Sequence, residues 1–170
     1  AQLRQPHSIA FDPQGRLLIC DIGNHRIRRV DPSTGVIETW AGTGEREPTP
    51  EGAPLAGTPL NGPRAMALDP SGNLYLALRE GNAIYRIDPD HFVAEVFRES
   101  VMILQIAENR DSLLVATGNE GQIYRVDPDG EETTILVDLE SQQGSALLAG
   151  EDHFLLGTAN PATLVSLDRG

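Results

Sequence analysis

The chain has 170 residues, of which 39% are hydrophobic and 5% aromatic, with a formal net charge of −12 and an isoelectric point near 4.6. That length supports one domain with a real core. The acidic balance excludes a nucleic-acid-binding face, where affinity rests on Lys and Arg neutralising phosphates. No apolar run approaches a membrane span, so no membrane partner is expected, and both an exported and a cytoplasmic location fit. The single cysteine, Cys20, lies in an apolar run, where it is expected to act as a small buried hydrophobe.

In chain order, the first unit reads as four strands separated by turns. Ser8–Phe11 leads into the turn Asp12-Pro13-Gln14-Gly15, then the apolar run Leu17–Cys20, then Gly23-Asn24. The strand Arg26–Val30 follows, then the turn Asp31-Pro32-Ser33-Thr34-Gly35 and the strand Val36–Trp40. Pro presets φ, Gly accepts positive φ and Asp bonds its own backbone, so each Asp-Pro-x-Gly segment is a turn with a mechanism. A Pro-, Gly- and Glu-rich insertion, Gly42–Gly62, comes next, and it reads as a long linker or a binding loop. The same punctuation then recurs at Asp69-Pro70-Ser71-Gly72 and Asp127-Pro128-Asp129-Gly130. Leu74–Leu78 and Leu113–Ala116 are continuously apolar, as strands covered on both faces are.

One phrase ties the units together. It starts at Ile27 (Ile-Arg-Arg-Val-Asp-Pro), Ile84 (Ile-Tyr-Arg-Ile-Asp-Pro) and Ile123 (Ile-Tyr-Arg-Val-Asp-Pro), and in decayed form at Leu164 (Leu-Val-Ser-Leu-Asp). The last two intervals match the roughly 40–45 residues of a four-stranded propeller blade, and the insertion lengthens the first. Residues 1–13 align without a gap over 58–70. The expected fold is therefore an all-β propeller of four-stranded antiparallel blades. Blade 1 spans about 6–42, the loop 43–62, blade 2 63–98, blade 3 101–139 and a partial blade 4 144–168.

The segments Pro6-His-Ser-Ile-Ala-Phe-Asp12 and Leu17-Leu-Ile-Cys-Asp-Ile-Gly-Asn-His-Arg-Ile-Arg-Arg-Val30, followed by Trp40-Ala-Gly-Thr-Gly44, resemble the NHL repeat of β-propellers. Unit two is similar but reads Leu78-Arg-Glu-Gly-Asn82 where the family has Asp-x-x-Asn-His. Units three and four resemble generic bacterial propeller blades. Propellers close with four to eight blades, and three full units plus an incomplete fourth suggest a piece of a larger propeller, an engineered segment, or a half closed by a second copy into about eight blades, with a closed four-bladed monomer as the competitor.

Resemblance to the amidating lyases of this class implies a metal held by His residues at positions such as His7 and His25. The equivalents of His7 are Arg64 in unit two and Gln105 in unit three, and an arginine repels a cation, so no metal site is expected within one chain. Resemblance to the lactonase-type propellers implies channel-lining Asp21, Asn119, Glu120 and Asn160 as candidates. Asn119 and Asn160 occupy matched positions, which a turn preference explains as well. No nucleophile elbow or phosphate loop is present.

Arg29, Arg86 and Arg125 recur in the third strands, while Asp12, Asp69 and Glu108 end the first strands, and both members vanish together in unit four. That joint loss predicts intra-blade salt bridges. The reading is a non-catalytic scaffold or binding module that self-associates as a homodimer, with no catalytic residue, metal or cofactor. A ligand is expected at the end bearing His7, Asp21, His25, Arg64, Arg79 and Asn119. The competing reading is a metal-dependent lactonase or lyase completed by another chain.

Overall fold

The computed structural model describes residues 2–139, 143–150 and 152–168. Four antiparallel units follow one another. The first holds β1 (Pro6–Phe11), β2 (Leu17–Asp21), β3 (Arg26–Val30) and β4 (Ile37–Ala41), and the second β5 (Pro63–Leu68), β6 (Leu74–Leu78), β7 (Ala83–Ile87) and β8 (Val93–Arg98). The third holds β9 (Met102–Asn109), β10 (Ser112–Gly118), β11 (Gln122–Val126) and β12 (Thr133–Asp138). The fourth has β13 (Gln143–Ala149), β14 (His153–Ala159) and β15 (Leu164–Asp168). Each strand pairs with the next in its unit, and the Gly118–Gln143 bridge joins β10 to β13. The chain is thus all-β, built of propeller blades in an incomplete ring.

The first strands of successive blades pack on one another, which sets them on the inner side of the curl. Three apolar clusters fill the three seams between blades. Leu18, Cys20 and Ile27 of blade 1 meet Met66, Leu76 and Tyr85 of blade 2. Tyr75 and Ile84 meet Ile106, Leu113 and Val115 of blade 3, and Leu114 and Ile123 meet Leu147, Phe154 and Leu156 of blade 4. Leu74–Leu78 is buried at every position because both faces of β6 are covered, which is why it lacks the alternation of a half-exposed strand. Cys20 is fully buried in the first seam, and burial pushes its thiol pKa far up.

The insertion is not a free loop. Gly52 N–H donates to Val93 O at 2.7 Å, Val93 N–H returns to Ala53 O at 3.0 Å, and Leu55 N–H donates to His91 O at 2.7 Å, so the segment runs along the edge strand β8. Leu55 and Leu60 enter the first seam and are buried there. An edge strand otherwise offers unpaired backbone to any passing chain, and here the insertion covers part of that edge.

The expected intra-blade bridges Asp12–Arg29 and Asp69–Arg86 do not form. Asp12 accepts from the amides of Gln14 at 3.0 Å and Arg16 at 2.8 Å and pairs with the Arg16 side chain at 2.7 Å. Asp69 accepts from Asn73 N–H at 2.8 Å and from the Tyr75 hydroxyl at 3.2 Å. An Asp in an Asp-Pro turn finds these local donors at little entropic cost. The arginines turn to other acids. Arg29 donates to Glu38, its directly opposed neighbour on β4, at 2.8 Å, as cross-strand pairs of opposite charge do. Arg86 reaches across the seam to Asp129 in the blade 3 turn. Arg125 is exposed, in a cleft with the acids Asp111, Asp127 and Glu132, while Glu108 lies half-buried on β9 opposite Leu113.

Candidate functional site

The NHL-like Asp21-Ile-Gly-Asn-His25 segment forms a short 3-10 turn, Ile22–Asn24, that ends on His25 in the left-handed conformation at φ +54°. Asp21 holds this turn in place. Its fully buried carboxylate accepts from Arg4 N–H at 2.7 Å, Asn24 Nδ2 at 2.8 Å and Arg28 Nε at 2.9 Å. Burial alone would raise the Asp21 pKa, but these donors hold it below the usual carboxylate value. Both oxygens are committed, so Asp21 anchors the site rather than contacting a ligand.

Arg4, tied to Asp21 through its amide, also accepts Gly23 N–H on its carbonyl at 2.9 Å. Its side chain crosses Gly23 so closely that an added Cβ would lie 2.7 Å from Cγ. The insertion returns at Asn61-Gly62, and Gly62 N–H donates to His25 Nδ1 at 3.1 Å. From the far side, Arg79 N–H donates to Gly62 O at 2.8 Å, which fixes the start of the β6–β7 turn against the insertion. A cleft of about 350 Å³ results between blades 1 and 2, with Arg4, His25, Arg46, Asn61, Arg79 and Glu80 on its walls. A second cleft of about 290 Å³ shares Arg79 and Glu80 and adds Arg64, Asn82 and Met102.

Of the six expected ligand-end residues, His25 and Arg79 line the first cleft, and Arg64 and Arg79 the second. Asp21 lies beneath. His7 is exposed at the start of β1, and Asn119 sits exposed in the β10–β11 turn; neither is among the residues lining these clefts. Asn119 and Asn160 both have positive φ, +73° and +57°, so their matched positions are turn chemistry. Glu120 is exposed in the same turn as Asn119. Gln105 makes a two-way amide clasp across the next seam, donating to Leu147 O at 3.3 Å and accepting Leu147 N–H at 3.1 Å. Among the described residues, no three His, Cys, Asp or Glu side chains converge as a metal set. Sequence reasoning missed Arg4, Arg46 and Asn61, because Arg4 precedes the first strand and the other two belong to the aperiodic insertion.

His25 is held neutral, first by burial and then by the positive charge of Arg46. Its ring meets two N–H donors: Gly62 N–H at Nδ1 and Arg46 Nε at Nε2, 3.1 Å away. A neutral imidazole has only one acceptor nitrogen. The neutral ring can therefore accept from only one of the two, and the other donor is left facing a ring N–H.

Four blades curled around a common inner side define the class: a β-propeller, present here as an incomplete ring. A model of the NHL repeat matches residues 3–30, the segment that supplies Arg4, Asp21 and His25. Solved structures agree on the fold. A gluconolactonase from Xanthomonas campestris superposes with a TM-score of 0.75 at 13% identity, over 99% of this chain and 60% of that one. A chain of a nidogen/laminin complex gives 0.78 at 17% identity, over 97% and 61%. Virginiamycin B lyase from Staphylococcus aureus gives 0.62 at 20%, over 96% and 55%. The chain thus spans less than two thirds of each of these neighbours. A search of curated protein sequences finds no match.

Proposed function

We propose that this chain is a non-catalytic binding module, a rigid propeller segment whose ligand enters the cleft between blades 1 and 2 and which self-associates through its end blades. The observation that carries the first half is the cleft itself. Backbone hydrogen bonds from three separate segments fix its walls, so its polar groups stand preformed, as ligand sites generally do. The second half rests on two apolar faces. Ile9 and Phe11 on blade 1 are 64% and 63% exposed, and Leu148 and Leu164 on blade 4 are 65% and 73% exposed. In each blade the alternate residues fill a seam, so these form the opposite, uncovered face.

Amide-resolved NMR titration with a library of small neutral and charged compounds tests the ligand site. Saturable shifts should cluster at Gln5, Gly23 and Gly62. Hits confined to other surfaces would sink the reading. Stoichiometric zinc or calcium, bound through His7 or Asp21 and accompanied by turnover of a lactone or lyase substrate, would replace it with the metal-dependent enzyme.

A further inference from the structure

The chain is strongly acidic, yet four of its thirteen Arg and Lys residues, Arg4, Arg46, Arg64 and Arg79, line the two clefts that meet at Arg79, where Glu80 is the one acid on the walls among the described residues. Elsewhere five arginines pair with acids, Arg16 with Asp12, Arg28 with Asp21, Arg29 with Glu38, Arg86 with Asp129 and Arg98 with Glu95, and Arg26 donates to Thr43 O at 2.8 Å. In the clefts that matching fails at three points. Arg46 competes with the Gly62 amide for a neutral imidazole that can accept from only one of them. Arg64 Nε is buried with no hydrogen-bond partner, and a buried unpaired donor is costly. Among the described residues the Arg79 side chain pairs with Glu80 alone, at 3.8 Å, with both side chains well exposed. Arg64 and Arg79 are also close enough to repel each other.

A preformed site with several guanidinium donors lacking acceptors is complementary to an oxyanion, which supplies acceptors and negative charge together. We propose that the groove formed by the two clefts binds the carboxylate or phosphate group of a small molecule between Arg46, Arg64 and Arg79. This assignment rests on the binding-module reading and names the ligand chemistry of that site. The planar fork of each guanidinium suits both groups, and neither needs a metal.

The test uses inorganic phosphate and succinate as probes, followed by calorimetry and by the amides of Gly23 and Gly62 at low and at high sodium chloride. Saturable binding of either probe at low salt, weakened at high salt, is the expected result. Arg79→Gln and Arg64→Gln should each weaken it by about tenfold or more, the scale of one charge-assisted hydrogen bond, while Arg125→Gln, in the acidic cleft between Asp111 and Glu132, leaves it unchanged. Arg79 is exposed, so its variant should keep the parent melting temperature and remain informative if Arg64→Gln unfolds. Tighter phosphate binding assigns a phosphoryl ligand, and tighter succinate binding a carboxylate. If neither probe saturates, or if Arg79→Gln binds both as well as the parent, the oxyanion assignment is wrong. Neutral compounds shifting Gly23 and Gly62 in that case would leave the binding-module reading standing, whereas no ligand shifting them would remove both.

Discussion

His25 occupies a position where one added proton has a structural consequence. As an imidazolium it has no acceptor, so it cannot keep the Gly62 N–H bond that ties the insertion to blade 1. Its folded pKa lies below the ordinary value of 6.5. The unfolded chain therefore takes up the proton first, and this group's contribution is lost as the pH falls below about 6.5. A His25→Asn variant, which tolerates the left-handed backbone, should show a smaller fall in melting temperature between pH 7 and pH 5.5 than the parent. Equal falls in the two proteins would show that the ring is not the titrating group. Asp21 has the same sign, in a more acidic window. Its carboxyl is held below the usual value, so its contribution is present at neutral pH and is lost only as pH falls through that lowered pKa. Its burial was not legible in the sequence. Asp21 reads there as a channel-lining ligand candidate, whereas three donors, the Arg4 amide, Asn24 and Arg28, enclose it in the fold.

At the scale of elements, turn glycines divide into two kinds. Gly15 sits at φ +75° in the β1–β2 turn with open space where a Cβ would go. Gly42, at φ +88° just after β4, would place a Cβ 2.4 Å from His25 O and 3.0 Å from Arg26 Cα. Gly15→Ala should cost about 1 kcal/mol, the left-handed backbone penalty alone. Gly42→Ala adds a backbone clash and should cost about 3 kcal/mol, combining that penalty with overpacking. Urea unfolding of the two variants checks the difference, and equal losses would contradict the close approach of β4's end to His25. The strands themselves were legible, because Asp-Pro-x-Gly turns bracket short apolar runs and the Ile-Tyr-Arg phrase repeats. The insertion was not. Leu55 and Leu60 lie in a Pro- and Gly-rich stretch without periodicity, so nothing local marks them for the seam between blades 1 and 2. The arginine pairings were misread for a related reason. Arg29 meets Glu38 only because the β3–β4 hairpin sets them directly opposite, and Arg86 meets Asp129 only because blade 3 stacks beside blade 2.

For the whole molecule, the two end faces and the net charge act in opposite directions. Apolar side chains such as Phe11 and Leu148 favour contact with a second copy, while −12 on each chain opposes it. Salt screens the repulsion and leaves the hydrophobic term in place. Sedimentation velocity should therefore show a mean mass that rises with protein concentration and rises further in 0.5 M sodium chloride relative to about 0.05 M, where the screening length is far longer. Phe11→Asp and Leu148→Asp should each return it to monomer. A parent that stays monomeric at high concentration and high salt would rule out closure by a second copy.

By itself the sequence determined the strands, the turns, the blade period and the acidic charge, since each depends on neighbours a few residues away or on a repeat that composition exposes directly. Only the tertiary structure decided which charges meet. Arg4, the Asn61-Gly62 return and Arg79 lie far apart in the chain, and they surround one cleft because the first two blades stack and the insertion folds back along β8. Charge pairing and site formation are set by distances across seams, and local pattern carries no information about those distances.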